Sequence, residues 1–341
     1  MLRFVYPRPE IAMDTSLRPM STSQVLDRTF FLYRKNFVLF AGIALITPML
    51  TTLASLSQLA TFGVPVKPEM SGPDPMAAWQ ATMGRAVAGG IISLVIYMIG
   101  YAITTGATIQ AVSMLHLGRS TTIKESYGRV KPIWGKLLLL VIRVFWAAAW
   151  PLILCYAVLI ASALTLMILS RGGAGNMGAA AGLGLVMLVV MVGFLAATVW
   201  GVIAYCRYAL AVPACAIENL PIKYALIRSK FLTKGNLGRV FAVYILTLVI
   251  TVAIQTLLQV PLYISGNFSF RTGLNFTPAV LVWTYASSFI GAMVAGPIAS
   301  IAMALVYYDE RVRKEAFDLQ LMMEAMRPGE ATQAAAAQAA Q

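Results

Sequence analysis

Six stretches of this chain each run for more than twenty residues with at most one charged side chain, and basic residues fall in bursts between them. The hydrocarbon core of a bilayer is about 30 Å thick and takes roughly 20 apolar residues of helix to cross. The runs at 37–59, 86–116, 137–169, 179–206, 240–264 and 278–308 all reach that length. No water serves the backbone in hydrocarbon, so a spanning segment must be a helix or part of a closed barrel. These runs are rich in Leu, Ala and Val and lack barrel alternation, which predicts six transmembrane helices. Of the 341 residues, 59% are hydrophobic and 11% charged, against about 25% charged in soluble domains. The fold class expected is an all-α integral membrane protein.

The placement of Lys and Arg orients the spans. Arg3, Arg8, Arg18, Arg28, Arg34 and Lys35 precede the first run, and Arg119, Lys124, Arg129, Lys131 and Lys136 separate the second from the third. Arg207, Lys223, Arg228, Lys230, Lys234 and Arg239 separate the fourth from the fifth, and Arg311, Arg313 and Lys314 follow the sixth. The other three connections hold only Lys67, Arg85, Arg171 and Arg271. By the positive-inside rule both termini are expected in the cytoplasm, in a cytoplasmic-type membrane. A net charge of +13 would otherwise suggest nucleic acid, but charge distributed this way flanks a membrane, so no nucleic-acid partner is expected. The first twenty residues contain no apolar signal segment, so translocation is expected to begin with the first span.

The basic segments share a design. Ile123-Lys124 with Arg129 and Lys131 recurs as Ile222-Lys223 with Arg228 and Lys230, and Leu32-Tyr33-Arg34-Lys35-Asn36 resembles Leu232-Thr233-Lys234-Gly235-Asn236. Ser21 three before Gln24, Thr122 three before Glu125, and Asn219 two before Pro221 are helix-start signals. Leu26, Phe30, Tyr33 and Phe37, and likewise Ile123, Tyr127, Val130 and Trp134, fall at helical spacing. The expectation is an amphipathic cytoplasmic helix feeding a helical hairpin, three times over, with repeats at about 21–118, 119–217 and 218–310. The order of the repeats in space, ring or row, stays open. Generic basic loops before spans would look similar.

Small residues mark candidate packing faces. Ser288, Ala292, Gly296, Ser300 and Ala304 recur every fourth position on the sixth run, and Gly193, Ala197 and Gly201 on the fourth. Such stripes let helix backbones approach closely, so the even-numbered spans are expected to pack centrally. Pro48, Pro151, Pro261 and Pro297 should interrupt or kink their helices.

Polar residues inside the runs are few. Arg143 lies about two turns into the third, where a central charge costs roughly 2.5–3.5 kcal/mol. It either snorkels to lipid phosphate or marks a buried site. Gln110 on the second run and Gln255 and Gln259 on the fifth would serve interhelical hydrogen bonds or line a polar pathway. The single histidine, His116, and the three cysteines, Cys155, Cys206 and Cys215, form no metal-binding or nucleophilic pattern. No catalytic residues, metal or cofactor are therefore expected.

After the sixth run, Tyr307 to Leu319 reads as an amphipathic helix along the cytoplasmic face, at about 311–326, with Val312, Ala316, Leu319 and Met323 on one side. Residues 327–341, mostly Ala and Gln, read as a disordered tail. Residues 1–20 read as an N-terminal cytoplasmic segment.

Three groups of residues carry a resemblance. They are Arg18-Pro19-Met20-Ser21 through Asn36-Phe37, then Val212-Pro213 with Glu218, Ala225 and Arg228-Ser229, and finally Tyr307-Tyr308-Asp309 with Arg311-Val312-Arg313-Lys314-Glu315 and Asp318-Leu319. Together they resemble the glycerophosphoryl diester phosphodiesterase membrane domain family. In that family the multi-pass module is sometimes fused to a catalytic barrel and often stands alone in bacteria. No stretch here has the length and polarity of that barrel, so the resemblance implies a bacterial inner-membrane module rather than a phosphodiesterase.

The sequence therefore predicts a non-enzymatic membrane module. Its contacts with anionic lipid head groups or a partner protein would be made by Arg28, Arg34, Lys35, Lys124, Arg129, Lys131, Arg228, Lys230 and Lys234. The alternative is a carrier of lipid or small molecules whose polar site is built from Gln110, Arg143, Gln255 and Gln259.

Overall fold

The computed structural model describes residues 20–63, 75–171, 177–264, 268–269, 273–274 and 277–315. They form eleven helices: α1 (Thr22–Lys35), α2 (Phe37–Ala44), α3 (Ile46–Phe62), α4 (Pro75–His116), α5 (Ile123–Val130), α6 (Trp134–Arg171), α7 (Met177–Tyr208), α8 (Ala211–Glu218), α9 (Ile222–Thr233), α10 (Leu237–Ile264) and α11 (Pro278–Glu315). A two-residue antiparallel pair, β1 (Phe268–Ser269) and β2 (Gly273–Leu274), lies between the last two helices. Six segments are long and apolar enough to cross a membrane: Phe37–Phe62, Gln80–His116, Trp134–Ser162, Gly184–Glu218, Leu237–Ile264 and Pro278–Glu315. At 42 residues, α4 is about 63 Å long and projects well beyond a hydrocarbon core.

Local chemistry sets several helix boundaries. Ser21 Oγ accepts from the Gln24 backbone N–H at 3.3 Å while Gln24 Oε1 accepts from the Ser21 N–H at 2.8 Å, so α1 opens on a full capping box. Thr122 caps α5 through the Glu125 N–H at 3.3 Å. The third expected start signal differs, because Asn219 is left-handed (φ 52°, ψ 33°) and ends α8, leaving Pro221 to precede α9. Asn tolerates that conformation and commonly closes helices there.

The prolines divide into two classes. Pro48 has no N–H for the Ala44 carbonyl, and α2 ends at Ala44. Pro213, which the sequence reading did not mark as a break, likewise cannot bond Ala209, and the fourth span is divided there into α7 and α8. Pro151, Pro261 and Pro297 lie inside continuous helices.

The sixth span is the hub. In its most apolar window 61% of residues are buried, against 11% for the fourth, so the expectation that all even-numbered spans are central fails for the fourth. The second is largely exposed from Met83 to Val95 but has no exposed residue from Met98 to His116, where α4 packs against α2, α5, α6, α8 and α11. Every residue from Ser300 to Glu310 is buried. A helix buried on all sides is surrounded by protein, and α11 packs against α1, α2, α3, α4, α8, α9 and α10. The most extensive contacts join chain neighbours, α6 with α7, α10 with α11 and α3 with α4.

The small-residue stripe on α11 is displaced by one position over its first half. Ser287, Gly291 and Ala295 are buried there, while Ala292 and Gly296 are exposed. On α7, Ala197 and Gly201 are buried as expected. A Cβ on Gly201 would stand 2.9 Å from the Ala148 carbonyl oxygen of α6.

The last helix also corrects a prediction. Residues 311–315 are not a separate amphipathic helix on the surface but the end of α11, which continues unbroken through Tyr307–Glu310. Nothing between Ala302 and Glu315 can stop a helix, and partners on other helices make burial of the charged turn tolerable. Residues 316–326, with Ala316, Leu319 and Met323, lie outside the described residues, as do the 327–341 tail and residues 1–19.

Candidate functional site

At the basic end of the bundle, α11 brings carboxylates into a buried ionic clasp. The Asp309 and Glu310 side chains are both 0% exposed. An isolated ionised carboxylate there would be costly, so each needs charged or hydrogen-bonding partners. Arg239, at the start of α10, pairs with Asp309 and lies 3.1 Å from Glu310, and Arg313 reaches Asp309 at 2.8 Å. Asn236 donates to Glu310 at 2.7 Å. Arg239 and Arg313 also donate to the Met20 carbonyl at 2.6 and 2.7 Å, and the Met20 N–H donates to Asp309. The entry to α1 is thereby tied to the end of α11, almost three hundred residues away in sequence.

A second half of the clasp surrounds Glu218, where α8 ends. Arg228 of α9 lies 3.1 Å from Glu218 and donates to Glu315 at 2.7 Å, Arg311 reaches Glu218 at 3.5 Å and Glu315 at 3.3 Å, and the Tyr307 hydroxyl donates to Glu218. Burial alone would lower the Arg228 pKa, but hydrogen bonds and charge from Glu315 and Glu218 outweigh it and hold the guanidinium above the ordinary arginine value. Lys314 donates to the Phe231 and Lys234 carbonyls at 2.8 and 2.6 Å, where α9 ends. A cation at a helix C-terminus meets free carbonyls and the negative end of the dipole. Tyr308 donates to Ser113 of α4 at 2.8 Å, with the His116 ring stacked on it at 4.8 Å.

Four carboxylates thus face four guanidiniums, and the clasp is charge-balanced. The +13 surplus of the chain lies outside it. Arg228 accordingly belongs to the clasp, whereas the lysines assigned to lipid contact stand elsewhere. Lys35, Lys124, Lys131, Lys230 and Lys234 are exposed, Arg34 is exposed, Arg28 is half-buried, and Arg129 pairs with Glu125 one turn away at 2.9 Å. Exposed apolar side chains accompany these cations: Phe31, Ile123, Trp134, Tyr224, Ile227 and Phe231.

Beyond the clasp, toward the middle of the bundle, lies a cavity of about 480 Å³ bounded by α4, α6, α7, α8, α10 and α11. It exists because α6 and α7 pack chiefly on each other and touch α10 only lightly. Tyr97, Tyr101, Tyr205, Tyr208 and Tyr244 line it with Thr105, Thr198, Ser300 and mostly aliphatic side chains, and no charged residue among those described does. The rings associate in pairs, Tyr205 with Tyr244 at 4.5 Å and Tyr97 with Tyr101 at 5.7 Å.

The polar residues assigned to a pathway do not meet in this cavity. Gln110 donates to the Ala216 carbonyl, joining α4 to α8. Gln255 packs against Gly291 between α10 and α11, and Gln259 is half-buried on α10. Arg143 is exposed. The cavity-facing stripe of α6 runs through Val141, Val144, Phe145, Ala148, Ala149 and Leu152, and at about 100° per residue Arg143 falls on the opposite face. Among the described residues no group of three or more His, Cys, Asp or Glu could hold a metal ion.

The sequence reading missed Glu218, Asp309, Glu310 and Glu315 as partners. Their signal was available, since acids are scarce in this chain, 13 in all, and four stand beside span ends. No family model, curated protein or solved structure matches the chain.

Proposed function

We propose that the chain is a non-enzymatic, multi-pass module of a bacterial inner membrane, of the glycerophosphoryl diester phosphodiesterase membrane-domain type, with both termini in the cytoplasm. Its basic face engages anionic lipid head groups, and through them or directly a partner protein. The observation that carries this reading is the separation of two cationic populations. Arginines balance carboxylates inside the clasp, while Lys35, Lys124, Lys131 and Lys230 stand exposed beside Phe31, Ile123, Trp134 and Phe231. Cations next to exposed aromatic and aliphatic side chains suit the interface, where apolar groups enter the acyl boundary and ammonium groups meet phosphate. The short helices α1, α5 and α9, each directly before a span, support the three-repeat arrangement of hairpins. The residues behind the family resemblance also coincide with the clasp, since Glu218, Arg228, Tyr307, Asp309, Arg311, Arg313 and Glu315 all take part in it.

The test is lipid enrichment around the purified protein in mixed bilayers. Neutralising Lys35, Lys124 and Lys131 to Gln should reduce phosphatidylglycerol enrichment while leaving the fold intact, and unchanged enrichment refutes the lipid reading. Orientation is tested separately. A cysteine placed at Lys124 should resist an impermeant thiol reagent applied to intact cells, and its labelling overturns the topology.

A further inference from the structure

The central cavity has the shape and chemistry of a site for one particular lipid rather than for the lipid surrounding the protein. Its volume, about 480 Å³, lies within the roughly 300–1,000 Å³ typical of small-molecule sites. Along α4 the lining extends from Leu94 to Ile109, about 22 Å at 1.5 Å per residue. A single leaflet is about half of the 30 Å hydrocarbon core, so the slot is deep enough for a whole acyl chain. Its walls are mainly aliphatic and aromatic, with Thr105, Thr198, Ser300 and the five tyrosines as the polar residues among them, and the lack of a charged residue among those that line it disfavours an ion.

One end of the slot is cationic. Tyr208 lines the cavity, and the Lys230 ammonium stands 5.3 Å from the centroid of its ring. Lys230 is exposed and makes no ion pair with a described residue. The ring thus joins an apolar slot to a free ammonium, and a cation so held retains its attraction for phosphate. An amphiphile with an anionic head and a hydrocarbon tail matches both ends at once.

We infer that the cavity between α4, α6, α7, α8, α10 and α11 binds one acyl chain of an anionic glycerophospholipid, with the head-group phosphate on Lys230. This rests on the lipid-binding reading above and adds a single saturable site to it. Occupancy by an ordered tail would also fill the gap left between the α6–α7 pair and α10.

The experiment is native mass spectrometry of the full chain after delipidation, titrated with dioleoyl phosphatidylglycerol or with dioleoyl phosphatidylcholine. Unaltered protein should retain one phosphatidylglycerol, more tightly than phosphatidylcholine. The cavity-filling pair Ala149→Phe with Ala299→Phe should weaken that retention roughly tenfold or more, whereas Val192→Phe, on the exposed outer face of α7, should not. Each cavity residue is also changed singly to Leu, and retention is compared among variants of matched melting temperature, so that overpacking cannot mimic lost binding. Lys230→Gln should abolish the preference for phosphatidylglycerol over phosphatidylcholine.

Equal retention by filled and unfilled cavities overturns the site, and equal retention of the two lipids by the unaltered protein overturns the head-group assignment. Neutralising Lys35, Lys124 and Lys131 should leave the single retained lipid in place while reducing general enrichment. Failure of the surface reading and failure of the cavity site are therefore read separately.

Discussion

Replacing Arg239 by Met tests whether the clasp holds the bundle together. Met has a similar volume and can lie along the same path, so the change mainly removes the guanidinium. Arg239 is the cation shared by Asp309 and Glu310, whose side chains are 0% exposed, and it is itself only 15% exposed. After the change, Glu310 keeps Asn236 and Asp309 keeps Arg313, but two buried carboxylates share one guanidinium fewer. The Met20 carbonyl also loses one of its two arginine donors. Removing one partner of a buried pair leaves charge uncompensated and costs about 3–5 kcal/mol. That corresponds to roughly a hundred- to a few-thousand-fold change in the folded-to-unfolded ratio.

The reference is Arg129→Met, which breaks an i,i+4 pair with both side chains 42% exposed. Solvent screens that pair, and its loss should cost no more than about 0.5 kcal/mol. Equilibrium unfolding of both variants in mixed micelles supplies the comparison. If Arg239→Met falls within about 1 kcal/mol of Arg129→Met, the clasp is not a stabilising core and the reasoning from burial fails.

Two further outcomes follow from geometry and protonation. Gly201→Ala forces a Cβ to 2.9 Å from the Ala148 carbonyl and should destabilise the α6–α7 pair by about 1–3 kcal/mol. Gly296→Ala, which meets nothing within 4 Å, should be neutral or slightly stabilising in the same unfolding measurement. Burial pushes the Tyr33 hydroxyl, which donates to the Val294 carbonyl at 2.6 Å, up to about 12. The unfolded tyrosine loses its proton near pH 10 while the folded one keeps it, so this contribution is complete below about pH 10 and disappears as pH rises through 12. Melting followed across that interval should show a decline that Tyr33→Phe reduces, and an identical decline in the variant rules out Tyr33 as its source.

Membrane class, the number of spans and the positions of the basic segments were legible in the sequence, because hydrophobic run length and charge are properties of contiguous residues. The Ser21 and Thr122 caps were legible for the same reason, each lying within three residues of its partner. The clasp was not. Met20 meets Asp309 across 289 positions and Arg228 meets Glu315 across 87, and no local pattern states which cation of a surplus lies beside which carboxylate. Arg228 and Lys230 look alike in the chain and separate only in space, one turned into the ionic clasp and the other left at the mouth of a cavity. The α11 stripe erred for a related reason: small residues recur on adjacent faces of that helix, and only the neighbouring helices decide which face is covered. The sequence determined that this chain lives in hydrocarbon, since that depends on summed transfer energies. Tertiary structure decided where the bundle closes and where it stays open, since that depends on the distances between helices remote in sequence.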